Sequence, residues 1–86
     1  MSYQVQYTTQ AVEDLEKLAM DIRQRIIKKI SWLGQNFENI QPIPLAANWA
    51  GFYKLRVGDY RVIYEIDNDI RVITIDQVGH RRDIYN

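Results

Sequence analysis

The chain has 86 residues, of which 47% are hydrophobic and 12% aromatic, enough for the core of one small globular domain. It has no cysteine and one histidine, which excludes a disulfide framework and gives little support to a metal site. Its 11 basic side chains balance 11 acidic ones, so the formal net charge is zero. This excludes a protein that coats nucleic acid through bulk charge, and any contact with RNA requires a local cluster of cations.

The first half of the chain predicts a short strand followed by a helical hairpin. Residues 3–7 alternate apolar and polar side chains, which is the period of a strand with one buried face. Thr8 or Thr9 is placed to cap a helix, and Asp21 and Gln24 have the spacing of a capping box that starts a second helix. One apolar stripe at steps of three or four residues runs through both helices: Ala11, Leu15, Leu18, Ile22, Ile26, Ile30 and Leu33. We therefore expect two helices that meet near Met20.

The second half predicts a loop and then an antiparallel meander. Residues 36–44 hold two prolines and two asparagines, which favour a loop. Segments 52–57, 60–66 and 70–78 are rich in β-branched and aromatic residues, and the short breaks between them favour hairpins. The expected fold is α+β: an N-terminal strand, a helical hairpin, and a three-stranded antiparallel meander forming one sheet packed on the helices, as one domain over residues 1–86. Trp32 and Trp49 are expected in the core, because aromatic side chains dominate small cores.

Alternation along the predicted strands places basic side chains on one face of the sheet. In strand 52–57, Lys54 and Arg56 lie opposite the apolar set, and in strand 60–66 Arg61 and Glu65 do the same. Since the apolar set should face the helices, these polar side chains should share the outer face. The C-terminal segment 79–86 follows the last strand and can reach the same face. It contributes His80, Arg81, Arg82 and Tyr85.

Two segments resemble a known family. Residues 53–64, YKLRVGDYRVIY, resemble the central hairpin of the RelE/ParE toxins, and residues 78–85, VGHRRDIY, resemble their C-terminal motif. The preceding strand, helical hairpin and proline-containing loop have the order and lengths found in that family. The resemblance implies a RelE-like fold and a toxin of a type II toxin-antitoxin system. The superfamily includes ribosome-dependent messenger RNA endonucleases of the RelE type and gyrase inhibitors of the ParE type.

A RelE-type activity would be attack of a ribose 2′-hydroxyl on the adjacent phosphate, without a metal or cofactor. The catalytic residues that the resemblance implies are Lys54, Arg56, Arg61, Arg81 and Tyr85. By position, Arg61 would stabilise the transition-state charge, and Arg81 would hold the scissile phosphate. Guanidinium groups suit both tasks because they stay charged and bind phosphate oxygens with paired donors.

The general base is expected to be Lys54. Arg56 stands where well-known RelE members have a lysine, and arginine is a poor base because its pKa lies above about 12. A lysine crowded by like charge can lose its proton more easily. His80 and Glu65 are the reserve candidates for proton transfer, and Tyr85 is expected to orient the nucleotide or pass a proton.

The resemblance also implies partners: a cognate RelB-like antitoxin, the ribosome and messenger RNA, with a toxin that is monomeric when free and hetero-oligomeric with its antitoxin. The side chains assigned to RNA contact are Arg23, Arg25, Lys28, Lys29 and Arg82. A cytoplasmic location without membrane association is expected, because no basic stretch precedes an apolar N-terminal core. Two alternatives stay open: a ParE-like gyrase inhibitor, and a degenerate toxin that only binds its antitoxin. The joint presence of Lys54, Arg61, Arg81 and Tyr85 favours the RelE type.

Overall fold

The computed structural model describes residues 2–46 and 49–84. The elements in chain order are β1 (Gln4–Tyr7), α1 (Thr9–Glu16), α2 (Met20–Gln35), a short 3-10 helix (Phe37–Asn39), β2 (Ile43–Pro44), β3 (Tyr53–Val57), β4 (Tyr60–Asp67) and β5 (Val72–His80). The predicted α+β class, with a strand and helical hairpin before a meander, is confirmed. Within the described residues, no helix is long and apolar enough to cross a membrane.

The helical hairpin begins with a side-chain cap and turns without one. The Thr8 hydroxyl oxygen accepts a hydrogen bond from the Ala11 amide at 3.1 Å, which confirms Thr8 as the cap of α1. The predicted capping box at Asp21 is wrong, because the N-cap of α2 is Ala19, two residues earlier, and its side chain makes no capping hydrogen bond. Asp21 instead lies in the first turn of α2, where a carboxylate is favoured by the helix dipole.

The described strands form one sheet in the order β1-β5-β4-β3-β2. β1 is parallel to β5, and the other neighbours are antiparallel, so β3, β4 and β5 form the predicted meander. Three features differ from the sequence prediction. The proline-containing loop contributes the edge strand β2. β5 begins at Val72, two residues after the predicted start at Ile70, and continues to His80, two residues beyond the predicted end at Val78. A proline is tolerated in β2 because edge strands need fewer backbone donors.

The core lies between the helices and one face of the sheet. Helix residues Ile26, Ile30 and Leu33 are fully buried against Val62 and Ile75 of the central strands. The apolar stripe predicted from the sequence therefore supplies the helix side of the core. Burying such side chains contributes about 1.5–3 kcal/mol each, which is the main favourable term in a chain of this size.

A β-bulge interrupts the pairing of β4 with β5. Ile63 pairs with Gln77 and Tyr64 pairs with Ile75, so Asp76 is the extra residue on β5. The bulge resets the alternation of β5, and Val78 returns to the helix side opposite Val62. The orientation of every later residue of β5 depends on this one insertion.

Candidate functional site

The outer face of the sheet carries the basic side chains that alternation predicts. Arg56 of β3 pairs directly with Arg61 of β4, and Lys54 pairs with Ile63 two residues away. Their neighbours in sequence, Val57 and Val62, are buried in the core on the helix side. Two arginines directly opposite each other repel, and such pairs are normally unfavourable in a sheet. A bound anion would relieve this repulsion.

The turn between β3 and β4 gathers a third arginine. Arg81 donates its backbone amide to the Asp59 carbonyl oxygen at 2.8 Å, and its Nε lies 3.9 Å from Oδ1 of Asp59. Arg61 Nη1 donates to the carbonyl oxygens of Gly58 at 2.9 Å and of Tyr60 at 2.8 Å. We call Arg56, Arg61 and Arg81 the arginine cluster. The side chain of Arg81 is 63% exposed, so its guanidinium can reach a ligand at the surface.

The predicted RNA-contacting residues of α2 divide into two groups. Arg25, Lys28 and Lys29 line a cavity that also includes Arg56 and is therefore continuous with the arginine cluster. Arg23 is elsewhere. Its Nη2 donates to the carbonyl oxygens of Leu18 at 3.1 Å and Glu16 at 3.4 Å, so it stabilises the C-terminal end of α1.

His80 and Arg82 lie away from the arginine cluster. His80 pairs with Tyr60, and the centres of their rings lie 5.4 Å apart in an edge-to-face arrangement on the helix side of the sheet. The next pair, Gly79 and Arg61, faces the outer side. The ring of His80 therefore lies on the helix side and does not reach the outer face, because the bulge at Asp76 shifts the alternation of β5 by one residue. Arg82 donates its amide to His80 Nδ1 at 3.3 Å and lines a different cavity of about 680 Å³, beside α1.

A pair of carboxyl groups lies farther along the outer face. Glu65 is exposed on β4, and Asp76 occupies the bulge of β5. Burial, followed by hydrogen bonding to Glu65 and the charge of Glu65, raises the pKa of Asp76 from 3.8 to about 7. Oδ2 of Asp76 is buried and finds no hydrogen-bond partner among the described residues. Two ionised carboxylates can only accept hydrogen bonds. A proton on one of them provides the donor for a hydrogen bond between Asp76 and Glu65.

Sequence reasoning missed Asp76 and Trp32. Alternation alone does not locate a bulge, so nothing singled out Asp76. Trp32 is 42% exposed, and its expected place in the core is wrong. Its spacing of three and four residues from Lys29 and Lys28 was the available signal, because residues so spaced are neighbours on a helix surface. Trp49 is partly buried and packs edge-to-face on Phe52 at 5.6 Å.

Two further features of the sequence analysis concern Tyr85 and a metal site. Tyr85 lies outside the residues that the structure describes. Over residues 2–46 and 49–84, no group of three or more histidine, aspartate or glutamate side chains is placed to hold a metal ion.

Comparisons with known proteins agree with this geometry. The family model for the ParE toxin of type II toxin-antitoxin systems matches residues 5–85. The chain belongs to the RelE/ParE superfamily. It is therefore a toxin of a type II toxin-antitoxin system. Toxin RelG of Mycobacterium tuberculosis is 35% identical over 89 aligned positions, which cover 99% of this chain and 98% of RelG.

Solved structures show the same relationship. The toxin-antitoxin complex RelBE2 from Mycobacterium tuberculosis contains a chain with a TM-score of 0.84 and 32% identity, covering 94% of this toxin and 100% of that chain. The archaeal RelE-RelB complex from Pyrococcus horikoshii gives a TM-score of 0.75 at 29% identity, with coverage of 96% and 99%. A variant of the Escherichia coli toxin RelE shares the fold, with a TM-score of 0.79 at 21% identity and coverage of 98% and 88%.

Proposed function

We propose that this toxin is a ribosome-dependent messenger RNA endonuclease that cleaves by attack of a ribose 2′-hydroxyl on the adjacent phosphate. The observation that carries the proposal is the arginine cluster, in which Arg56 and Arg61 are cross-strand neighbours and Arg81 is bonded to the turn that joins their strands. We expect the three guanidinium groups to contact one phosphate bound at this turn. Electrostatic stabilisation by aimed donors is commonly the largest catalytic contribution.

The proposed reaction needs no metal or cofactor. The base removes the 2′-hydroxyl proton, the bond from O2′ to phosphorus forms, and the bond from phosphorus to O5′ breaks. The products are a 2′,3′-cyclic phosphate and a 5′-hydroxyl, which takes a proton as it leaves. Arg61 stabilises the negative charge on the phosphorus oxygens, and Arg81 holds the scissile phosphate. Paired guanidinium donors suit phosphate oxygens at both steps.

Lys54 remains the proposed base. It lies on β3 on the same face as Arg56 and Arg61, two residues from Arg56. Of the reserve candidates, Glu65 lies on this face beside Asp76, whereas His80 faces the helix side with Tyr60. Tyr85 is proposed to orient the nucleotide, because it follows Arg81 closely along the chain.

The proposed partners are a RelB-like antitoxin, the ribosome and messenger RNA, in the cytoplasm. Similar chains occur in toxin-antitoxin complexes from Mycobacterium tuberculosis and Pyrococcus horikoshii, which supports the antitoxin. Because the net charge of the chain is zero, binding of ribosomal RNA requires a local concentration of basic side chains. Arg25, Lys28 and Lys29 provide such a concentration beside the arginine cluster.

The test is cleavage of a translated messenger RNA in a cell-free system. Arg61→Ala and Arg81→Ala should each reduce cleavage about a hundredfold to a thousandfold, since each removes an aimed donor. Lys17→Ala, on an exposed residue just beyond α1, is the matched control and should leave cleavage unchanged. Intact messenger RNA with the unmodified toxin would refute the proposal.

The match to a ParE model supports a second candidate, inhibition of DNA gyrase without nuclease activity. A supercoiling assay with the same variants separates the two functions. Inhibited gyrase together with intact translated messenger RNA would establish the ParE type. Absence of both effects would indicate a degenerate toxin that binds only its antitoxin.

A further inference from the structure

A groove beside the arginine cluster has features that the cleavage step does not require. Arg25, Lys28, Lys29 and Trp32 of α2 form one wall, and Arg56, Val57 and Gly58 form the other. The cavity between them has a volume of about 490 Å³. We call it the tryptophan groove. Each of the four helix residues has a neighbour three or four positions away in the set, so they lie along one stripe of α2.

The indole of Trp32 is unusual in this position. The buried stripe of α2 comprises Ile26, Ile30, Leu33 and Gly34, and Trp32 lies outside it with 42% of its surface exposed. Lys29 Nζ lies 3.8 Å from the centre of the indole ring, which fixes the ring by a cation–π contact. An aromatic ring with this much exposed surface contributes little to the core, and a ring face of this kind suits the stacking of a base.

The charge of the groove has one sign. Four of its lining residues are cations, and none of the described lining residues is acidic. In a chain with zero net charge, such a concentration is a local feature, and it favours an anionic ligand. Cations that alternate with an exposed aromatic ring match the phosphates and bases of a single nucleic acid strand.

The groove leads to the arginine cluster. Gly58 has a φ of +58°, and a Cβ added there would lie 2.8 Å from Nη2 of Arg25. The guanidinium of Arg25 therefore packs directly on the turn whose carbonyl oxygen binds Arg61. Arg56 belongs to both surfaces. One extended strand could contact the groove and the cluster together.

We propose that the tryptophan groove binds single-stranded RNA, with a base stacked on Trp32 and flanking phosphates held by Arg25, Lys28 and Arg56. This inference rests on the proposed function, because the bound strand is the one whose phosphate is cleaved at the arginine cluster. The groove then determines which stretch of RNA enters the site. An acidic segment of a partner protein is the competing occupant.

The test measures binding in the absence of cleavage. The full chain is titrated against a labelled single-stranded oligonucleotide of about ten residues, long enough for one such groove. Every ribose carries a 2′-O-methyl group, which removes the nucleophile. Trp32→Ala should weaken binding about fivefold to a hundredfold, the usual effect of losing one stacked base. Trp32→Phe keeps an aromatic face and should recover most of the affinity.

The phosphate contacts are tested by salt dependence. With three phosphates neutralised, the logarithm of the binding constant should fall with the logarithm of salt concentration with a slope near −2, estimated at about −0.7 per contact. Lys28→Ala should reduce the slope by about 0.7. Lys17→Ala, which does not line the groove, is the matched control and should leave affinity and slope unchanged. Circular dichroism of each variant verifies that it is folded.

The outcomes separate this inference from the proposed function. If RNA binding depends on Trp32 but the toxin does not cleave messenger RNA, the proposed RNA-binding role of the groove is supported and the proposed nuclease activity is refuted. Cleavage by a toxin whose RNA affinity is the same with Trp32→Ala would retain the nuclease and overturn the groove. Trp32-dependent binding of polyglutamate, with no binding of the RNA, would also overturn it and assign the groove to an acidic protein partner.

Discussion

The carboxyl of Asp76 should make the stability of the toxin decrease as pH rises from about 4 to about 7. Asp76 occupies the β5 bulge beside Glu65, and its Oδ2 is buried without a partner among the described residues. Burial is the largest cause that raises the pKa of Asp76 to about 7, followed by the hydrogen bond to Glu65 and its charge. The substitution Asp76→Asn removes the titration while keeping a similar shape.

The sign and size of the effect follow from linkage. In the unfolded chain Asp76 ionises near its ordinary pKa of 3.8, whereas in the folded chain it keeps its proton until about pH 7. The folded state therefore binds more protons between these values, and the free energy of unfolding decreases as pH rises through that window. The full shift would correspond to about 4 kcal/mol. Asp76 retains solvent contact, so we expect screening to reduce the loss to about 1–2 kcal/mol.

Urea unfolding followed by circular dichroism from pH 4 to pH 8 measures this loss. Relative to the unmodified toxin, Asp76→Asn should gain about 1–2 kcal/mol of stability across that range. Glu65→Gln should flatten the dependence as well, because it removes a negative charge and supplies an amide donor. Asp69→Asn, on an exposed residue, is the control and should keep the full dependence. Equal slopes for the unmodified toxin and Asp76→Asn would refute this reasoning.

Three further substitutions test the fold by the same unfolding measurement. Gly34→Ala should cost about 1–3 kcal/mol, because the added Cβ would lie 2.8 Å from Cγ2 of Val5; an unchanged midpoint would contradict the close packing of α2 on β1. Thr8→Ala should cost about 1 kcal/mol through loss of the α1 cap, whereas Thr9→Ala should have little effect. Arg71 has a φ of 56°, so Arg71→Gly should be more stable than Arg71→Ala by about 1 kcal/mol; since both lose the same side-chain contacts, equal stability would show that the backbone is unstrained.

Much of the fold follows from short-range patterns in the sequence. The stripe from Ala11 to Leu33 gave the two helices, and Thr8 gave the start of the first. The predicted start of α2 lies two residues too late, because the spacing of a capping box also occurs within a first turn. The strand β2 could not be predicted, since two residues with a proline form a strand only where β3 presents an edge.

The candidate site was predictable where strands are regular. Period-two alternation placed Lys54, Arg56 and Arg61 on one face, and the register confirms that placement. The same argument could not orient His80. The extra residue Asp76 shifts the alternation of β5 by one position, so side chains after the bulge point to the opposite face from the one that regular alternation predicts. The roles of these residues in catalysis stay predictions.

The arrangement of charge explains how a toxin of zero net charge can present a strongly cationic site. Arg25, Arg56, Arg61 and Arg81 surround one turn, where Asp59 is the acidic neighbour of Arg81. Other acidic side chains have partners away from this turn. Glu38 accepts a hydrogen bond from Arg71, and Glu65 lies beside Asp76. At physiological salt, exposed charges are largely screened beyond about 8 Å. A phosphate at the turn therefore experiences the local arginines, and the net charge of the chain has little bearing on its binding there.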